Sequence, residues 1–172
     1  YARSMTDAAE PNLLGSLAPH MGEGHRSTIG VLVAVLRTGR LIESWLSSTL
    51  AADGLDTSEF TALMTLYLAG EPQRLSAGEI SNSLVQTTGG TTKTSRRLED
   101  RGMVKRVADP GDGRRSLVEL SRKGLETTIG ALHLVLDTFD LEIGDLDEAQ
   151  RVELGQGLVR LSAELGERLD RR

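Results

Sequence analysis

The residues with the most usable chemistry lie between Thr87 and Arg115. Wound as a helix, Thr87–Arg101 turns Thr91, Thr94 or Ser95, and Leu98 inward, because residues three and four apart share a face. Thr88, Gly89, Thr92, Lys93, Arg96 and Arg97 fall on the opposite side. Hydroxyls, bare backbone and cations together suit phosphate oxygens and the edges of bases. Gly89 and Gly90 each cost a helix about 1 kcal/mol relative to alanine, a cost that close approach of the backbone to a ligand, or a turn at the start of the helix, would offset. Further on, Arg114 and Arg115 follow Asp109-Pro-Gly-Asp-Gly113, a run dense in turn residues. Each cationic group alone fits a plain solvated face; their combination and spacing favour nucleic acid.

The elements around these residues supply the positioning. Ser76-Ala-Gly-Glu79 is a capping box, opening a short helix through Ile80 and Leu84. After Gly102, Met103–Val107 alternates apolar and basic residues, and Ser116–Leu120 reads as the returning strand. Residues 103–120 are therefore expected to form a β-hairpin with its tip at 109–115. Short helix, turn, helix and basic-tipped hairpin is the layout of a winged helix-turn-helix. In that layout the second helix enters a major groove and the wing reaches backbone or minor groove.

Upstream, Ile29, Leu32, Val33, Leu36, Ile42, Leu46 and Leu50 recur at helical spacing over Ser27–Ala51, and Asp53-Gly54 ends that helix. Asp56 starts the next, with Glu59 in capping-box position, inward residues Phe60, Leu63, Met64, Leu66 and Tyr67, and a stop at Gly70-Glu71-Pro72. Downstream, Leu125, Ile129, Leu132, Leu136, Phe139 and Ile143 mark one long helix. A second begins after Asp147, supported by Gln150, and carries Leu154, Leu158, Leu161 and Leu165. Sustained three-four spacing is the pattern of nearly parallel packed helices, so these four leucines are the expected dimer interface. The expected fold class is mainly α with a small β-hairpin wing. Its parts are a loose leader over 1–25, helical dimerisation segments at 26–54 and 122–172, and the winged domain at 55–121. Tyr1-Ala-Arg-Ser is read as a cloning vestige ahead of Met5.

Composition narrows the alternatives. With no cysteine, disulfide frameworks, thiolate nucleophiles and Cys-ligated zinc are excluded, and a cytoplasmic location is the expectation. Five aromatic residues are too few for a base-stacking platform. The apolar run Val31–Leu36 is too short to span a bilayer. No Ser/His/Asp order or phosphate-cradling G-x-x-x-x-G-K-[ST] occurs, so no enzyme and no cofactor is expected. The net charge of −5 conceals an uneven distribution: Ser76–Lys123 holds ten basic and six acidic residues, net +4, leaving −9 for the rest.

Leu98-Glu-Asp-Arg-Gly-Met-Val104, Asp109-Pro-Gly-Asp-Gly-Arg-Arg115 and Val118-Glu-Leu-Ser-Arg-Lys-Gly124 together resemble the MarR family of bacterial transcription regulators. The resemblance covers about 55–124, with Met103 where leucine is usual and Ser121 for threonine. It implies a homodimer on double-stranded DNA with an inverted-repeat operator, usually a repressor, with terminal helices intertwined and a small aromatic or phenolic effector that releases DNA. By position, Thr88, Gly90, Lys93 and Arg97 correspond to groove-facing residues. Arg114 corresponds to the wing arginine that enters the minor groove, and Asp112 to the acidic partner that orients it.

Effector chemistry is less legible. Arg37, Arg40, Trp45 and Tyr67 could line a pocket for an anionic aromatic molecule, although a core role for the aromatics and a solvated one for the arginines is the commoner pattern. His20, Glu23 and His25 are close in sequence but make a poor zinc site, and no metal is expected. The competing function is a winged-helix module that binds protein rather than DNA; its recognition face would tolerate neutralisation of Lys93, Arg97 and Arg114.

Overall fold

The computed structural model describes residues 25–83, 88–112 and 115–171. The expected leader, with its short helix around Asn12–Ala18, lies outside them, apart from His25. Two compact units meet in sequence between Thr57 and Ser58.

In the first unit, α1 spans Arg26–Ala51, within a residue of the span read from its apolar spacing. Gly54, at φ +65°, turns the chain in the left-handed region that a Cβ disfavours. The amides of Asp53 and Leu55 both donate to the Leu50 carbonyl at 3.1 Å. Leu50 and Leu55 are buried, whereas Val31, Leu32, Leu36, Leu41 and Ile42 are exposed. Among the described residues, much of the apolar stripe of α1 is exposed.

In the second unit, α2 (Thr57–Leu68) follows directly on Asp56 and buries Glu59, Phe60, Ala62, Leu63 and Leu66. Met64 and Tyr67, also expected inside, are only half-buried. Next come β1 (Arg74–Ser76), α3 (Ala77–Ser83), α4 (Thr88–Asp100), β2 (Val104–Ala108) and β3 (Ser116–Leu120). Gly102, at φ +69°, reverses the chain between α4 and β2. The strands of the expected hairpin are joined by a third, β1. The sheet runs β1-β3-β2, antiparallel throughout, with Leu75 opposite Val118 and Arg106 opposite the same residue on its other side. Three residues are too few for an alternating pattern to be read, which is why β1 escaped notice. The alternation of β3 turns Val118 and Leu120 inward, and with Ile80, Leu98, Met103 and Val104 they are fully or almost fully buried. α3 packs on α4 and β1, and α4 on β2.

The long helices α5 (Arg122–Glu142) and α6 (Glu148–Asp170) complete the unit. Asp147 and Gln150 form a reciprocal capping box at the start of α6. Arg151 then ties the two helices together: its guanidinium reaches Asp140 Oδ1 at 2.9 Å and the carbonyls of Leu146 and Ile143 at 3.0 and 3.4 Å. The buried residues of α5 are Gly124, Thr128 and Ala131. Leu136 stays 52% exposed, and the other residues of its apolar stripe are half-buried. At Gly124 the backbone of Met103 comes so close that a Cβ would collide with the Met103 carbonyl. Along α6, Leu154, Leu158 and Leu165 are exposed and Leu161 is half-buried. No helix among the described residues is long and apolar enough to cross a membrane.

Candidate nucleic-acid interface

The site is built on α4, which follows the capped helix α3 and is held at its C-terminal end. Before it, Ser76 and Glu79 make the expected capping box of α3: the Ser76 amide donates to Glu79 Oε2 at 2.7 Å and the Glu79 amide to Ser76 Oγ at 3.2 Å. The hydrogen bonds from the Ser76 side chain and then from its amide hold the Glu79 carboxyl below the usual carboxylate range. After α4, the carbonyls at its C-terminal end meet the N-terminal turn of α5. Lys123 Nζ donates to the Arg101 carbonyl at 2.8 Å, Ser121 Oγ to that of Gly102 at 2.7 Å, and the Ser121 amide to that of Met103 at 3.0 Å. An ammonium at a helix C-terminus also complements the helix dipole.

The burial of α4 follows the sequence-derived faces except at Arg97, which was expected on the outer face and is half-buried against Glu59. Thr94, Ser95 and Leu98 are buried, while Thr92, Lys93 and Arg96 are exposed. Thr88 and Gly89 lie in the first turn of α4, and Gly90 beside them is exposed. Lys93 and Arg96 have no ion-pair partner among the described residues.

Other cations of the segment are engaged. Arg97 Nε lies 3.3 Å from Glu59 Oε1, and Arg101 Nη1 lies 2.9 Å from Glu59 Oε2. Arg106 pairs with Glu99 at 3.2 Å and Lys105 with Glu119 at 2.8 Å. The Glu59 pairing was not anticipated. Its signal was an acidic residue beside inward-facing Phe60 and Leu63, together with two arginines four apart on α4.

At the wing, the Asp109 amide donates to the Arg115 carbonyl at 3.0 Å and the Arg115 amide to that of Asp112 at 2.8 Å, closing the tip. Asp109 Oδ1 accepts from the Gly111 amide at 2.9 Å. Asp112 Oδ2 lies 3.6 Å from the exposed Arg115 guanidinium. Arg114 falls outside the described residues. Arg37, Arg40 and Trp45 belong to α1 in the first unit, Arg40 exposed and the other two half-buried, and Tyr67 belongs to α2 in the second. The described residues contain no cluster of three or more groups able to hold a metal; of the three histidine-region candidates only His25 is among them.

These elements define a winged helix-turn-helix flanked by long helices. Residues 53–115 match the model of the MarR family, the family that the motifs of 98–124 resemble. No curated protein matches the chain. Among solved structures, the chain is similar to the transcriptional regulator BldR from Sulfolobus solfataricus, at 20% identity and TM-score 0.71 over 84% of this chain and 99% of that one. It is similar to a mutant MarR from E. coli complexed with operator DNA, at 20% identity and TM-score 0.68 over 81% and 99% of the two chains. A third is Bordetella bronchiseptica BpsR, whose DNA binding is regulated by 6-hydroxynicotinic acid, at 20% identity and TM-score 0.67 over 77% and 92%.

Proposed function

We propose that the chain is a sequence-specific DNA-binding transcriptional regulator, a repressor that leaves an inverted-repeat operator when a small aromatic or phenolic effector binds. The observation that carries the reading is the exposed row Thr92, Lys93 and Arg96 on α4, whose two cations are unengaged among the described residues. A helix of this kind lies in the major groove with its exposed side chains on phosphates and base edges. Residues 55–121 are the reading domain. In it Thr88, Gly89 and Gly90 bring the backbone near DNA, Arg114 and Arg115 contact the duplex from the wing, and Asp112 orients Arg114.

Segments 26–54 and 122–172 form the homodimer. Its support is the apolar surface left open on α1 and on α6, where Leu154, Leu158 and Leu165 are exposed. Large apolar patches are rarely left uncovered on a soluble chain. The effector half of the proposal leans on BpsR, a relative in fold whose DNA binding responds to 6-hydroxynicotinic acid. Arg37, Arg40, Trp45 and Tyr67 remain the residues proposed for it.

The test is a gel-shift titration against the chain's own promoter region at several salt concentrations, followed by footprinting. Released counterions make affinity fall steeply with salt, and two half-sites should be protected about one DNA turn apart. A flat salt dependence without a symmetric footprint refutes the proposal.

A further inference from the structure

Glu59 is the buried charge that a DNA-reading face does not by itself require. Its side chain is 6% exposed, yet its two oxygens meet two cations from one helix, Arg97 through Oε1 and Arg101 through Oε2. Arg97 Nη2 also donates to Ser58 Oγ at 3.2 Å, and that hydroxyl lies 3.3 Å from Thr94 Oγ1. Residues four apart stand one above the other on a helix, so a single carboxylate on α2 holds two successive turns of α4 along one edge. That edge separates the buried face (Thr94, Leu98) from the exposed one (Lys93, Arg96). A step of one residue around a helix is about 100°. A modest rotation of α4 would therefore turn Lys93 and Arg96 away from a groove, and it would also strip a buried carboxylate of its partners, which is costly.

We infer that Glu59 is a positioning residue for DNA recognition: through Arg97 and Arg101 it fixes the rotational setting of α4. The cations on α4 then divide into two kinds, Arg97 and Arg101 as scaffold and Lys93 and Arg96 as the groups that meet DNA. This reassigns Arg97, which the family resemblance puts on the groove side. The inference rests on the DNA-binding reading above and deepens it.

The experiment compares wild type, Glu59→Gln, Arg97→Gln, Arg96→Gln and the double variant Glu59→Gln/Arg97→Gln. The probes are a duplex selected by the wild-type protein from a random library, and a scrambled duplex of equal length. The readouts are the ratio of the two affinities and the slope of log affinity against log salt. Glu59→Gln should lower the selected-to-scrambled ratio about tenfold without reducing affinity for the scrambled duplex, because it removes a negative charge. Simple loss of folded protein would weaken both duplexes alike. Arg97→Gln should lower the ratio with little change in slope, whereas Arg96→Gln should flatten the slope by about 1 per protomer. The double variant should be no worse than either single one, as for two partners in one interaction.

Where Glu59→Gln fails to fold, Arg97→Lys decides the matter. It keeps the charge but loses the fork, so its ratio should fall at constant slope. An unchanged ratio in Glu59→Gln or Arg97→Lys, or a slope in Arg97→Gln as flat as in Arg96→Gln, overturns the clamp while leaving DNA binding intact. A wild-type protein that selects no duplex overturns the DNA-binding reading, and the clamp with it.

Discussion

Gly124→Ala isolates the joint between α4 and the long helix α5. In most helices this change is favourable by up to about 1 kcal/mol, since alanine is the better helix former. At Gly124 the sign should reverse. A Cβ there would collide with the Met103 carbonyl oxygen and would lie 2.9 Å from the carbonyl carbon and 3.1 Å from Leu120 Cδ2. The obstacle is backbone, and it is held in place because the same carbonyl accepts the Ser121 amide at 3.0 Å. Making room requires the first turn of α5 to retreat from β2, weakening that hydrogen bond and the one from Lys123 Nζ to the Arg101 carbonyl. Overpacking of this kind costs about 1–3 kcal/mol, and each weakened hydrogen bond adds about 1 kcal/mol. Against the propensity gain, a net loss of about 2–4 kcal/mol is expected. Gly130→Ala in the same helix is the control, since nothing lies within 4 Å of a Cβ there. Urea unfolding at fixed protein concentration measures both, concentration being held because the stability of the proposed dimer would depend on it. A Gly124→Ala protein as stable as wild type, or shifted in the same direction as Gly130→Ala, would refute the reasoning.

Further outcomes are expected elsewhere. Ser76→Ala removes the largest cause holding Glu79 below its ordinary range, together with the cap of α3, and should cost about 1 kcal/mol at neutral pH. Because the folded-state value of Glu79 is the depressed one, the wild-type advantage is present above the ordinary carboxylate range and shrinks as pH falls through it. A pH series of thermal melts checks this, and a gap that widens in acid would contradict it. Leu158→Asp and Leu161→Asp should yield monomer or unfolded protein, and sedimentation that finds a folded dimer for both would exclude α6 from the interface. Arg114→Ala should weaken operator binding in a gel shift while leaving the dimer folded; unchanged affinity would show that the wing assignment is wrong.

Much of the fold was legible because local chemistry and global packing agree. The capping boxes at Ser76 and Asp147 start helices where their four-residue patterns say they should. The alternation of 103–107 and 116–120 yields the paired strands, and Gly54 and Gly102 take the left-handed backbone that ends a helix. What escaped notice depends on partners distant in sequence. β1 is a strand because β3 pairs with it; its own three residues carry no period. The apolar spacing of α5 marks a packed helix, while within the chain its buried residues are Gly124, Thr128 and Ala131. At Gly124 the carbonyl of Met103 leaves no room for a Cβ, a constraint set by a residue twenty-one positions away that no local spacing reveals.

The candidate site shows the same division. Helical periodicity sorted Thr94, Ser95 and Leu98 from Thr92, Lys93 and Arg96, and the burial agrees. Periodicity could not say which cations are available, because that depends on an acid from another helix. The net +4 of Ser76–Lys123 therefore overstates the charge free for a polyanion in one respect and misplaces it in another. Glu59, Glu99 and Glu119 absorb Arg97, Arg101, Arg106 and Lys105 into the framework. On α4 they leave Lys93 and Arg96. A charge held rigidly near a groove is worth more to specificity than several free to follow any phosphate, since phosphate contacts alone carry no sequence information. Under the proposed DNA-binding function, the acidic residues inside the basic segment fix the helix so that the few remaining cations would meet DNA in one setting.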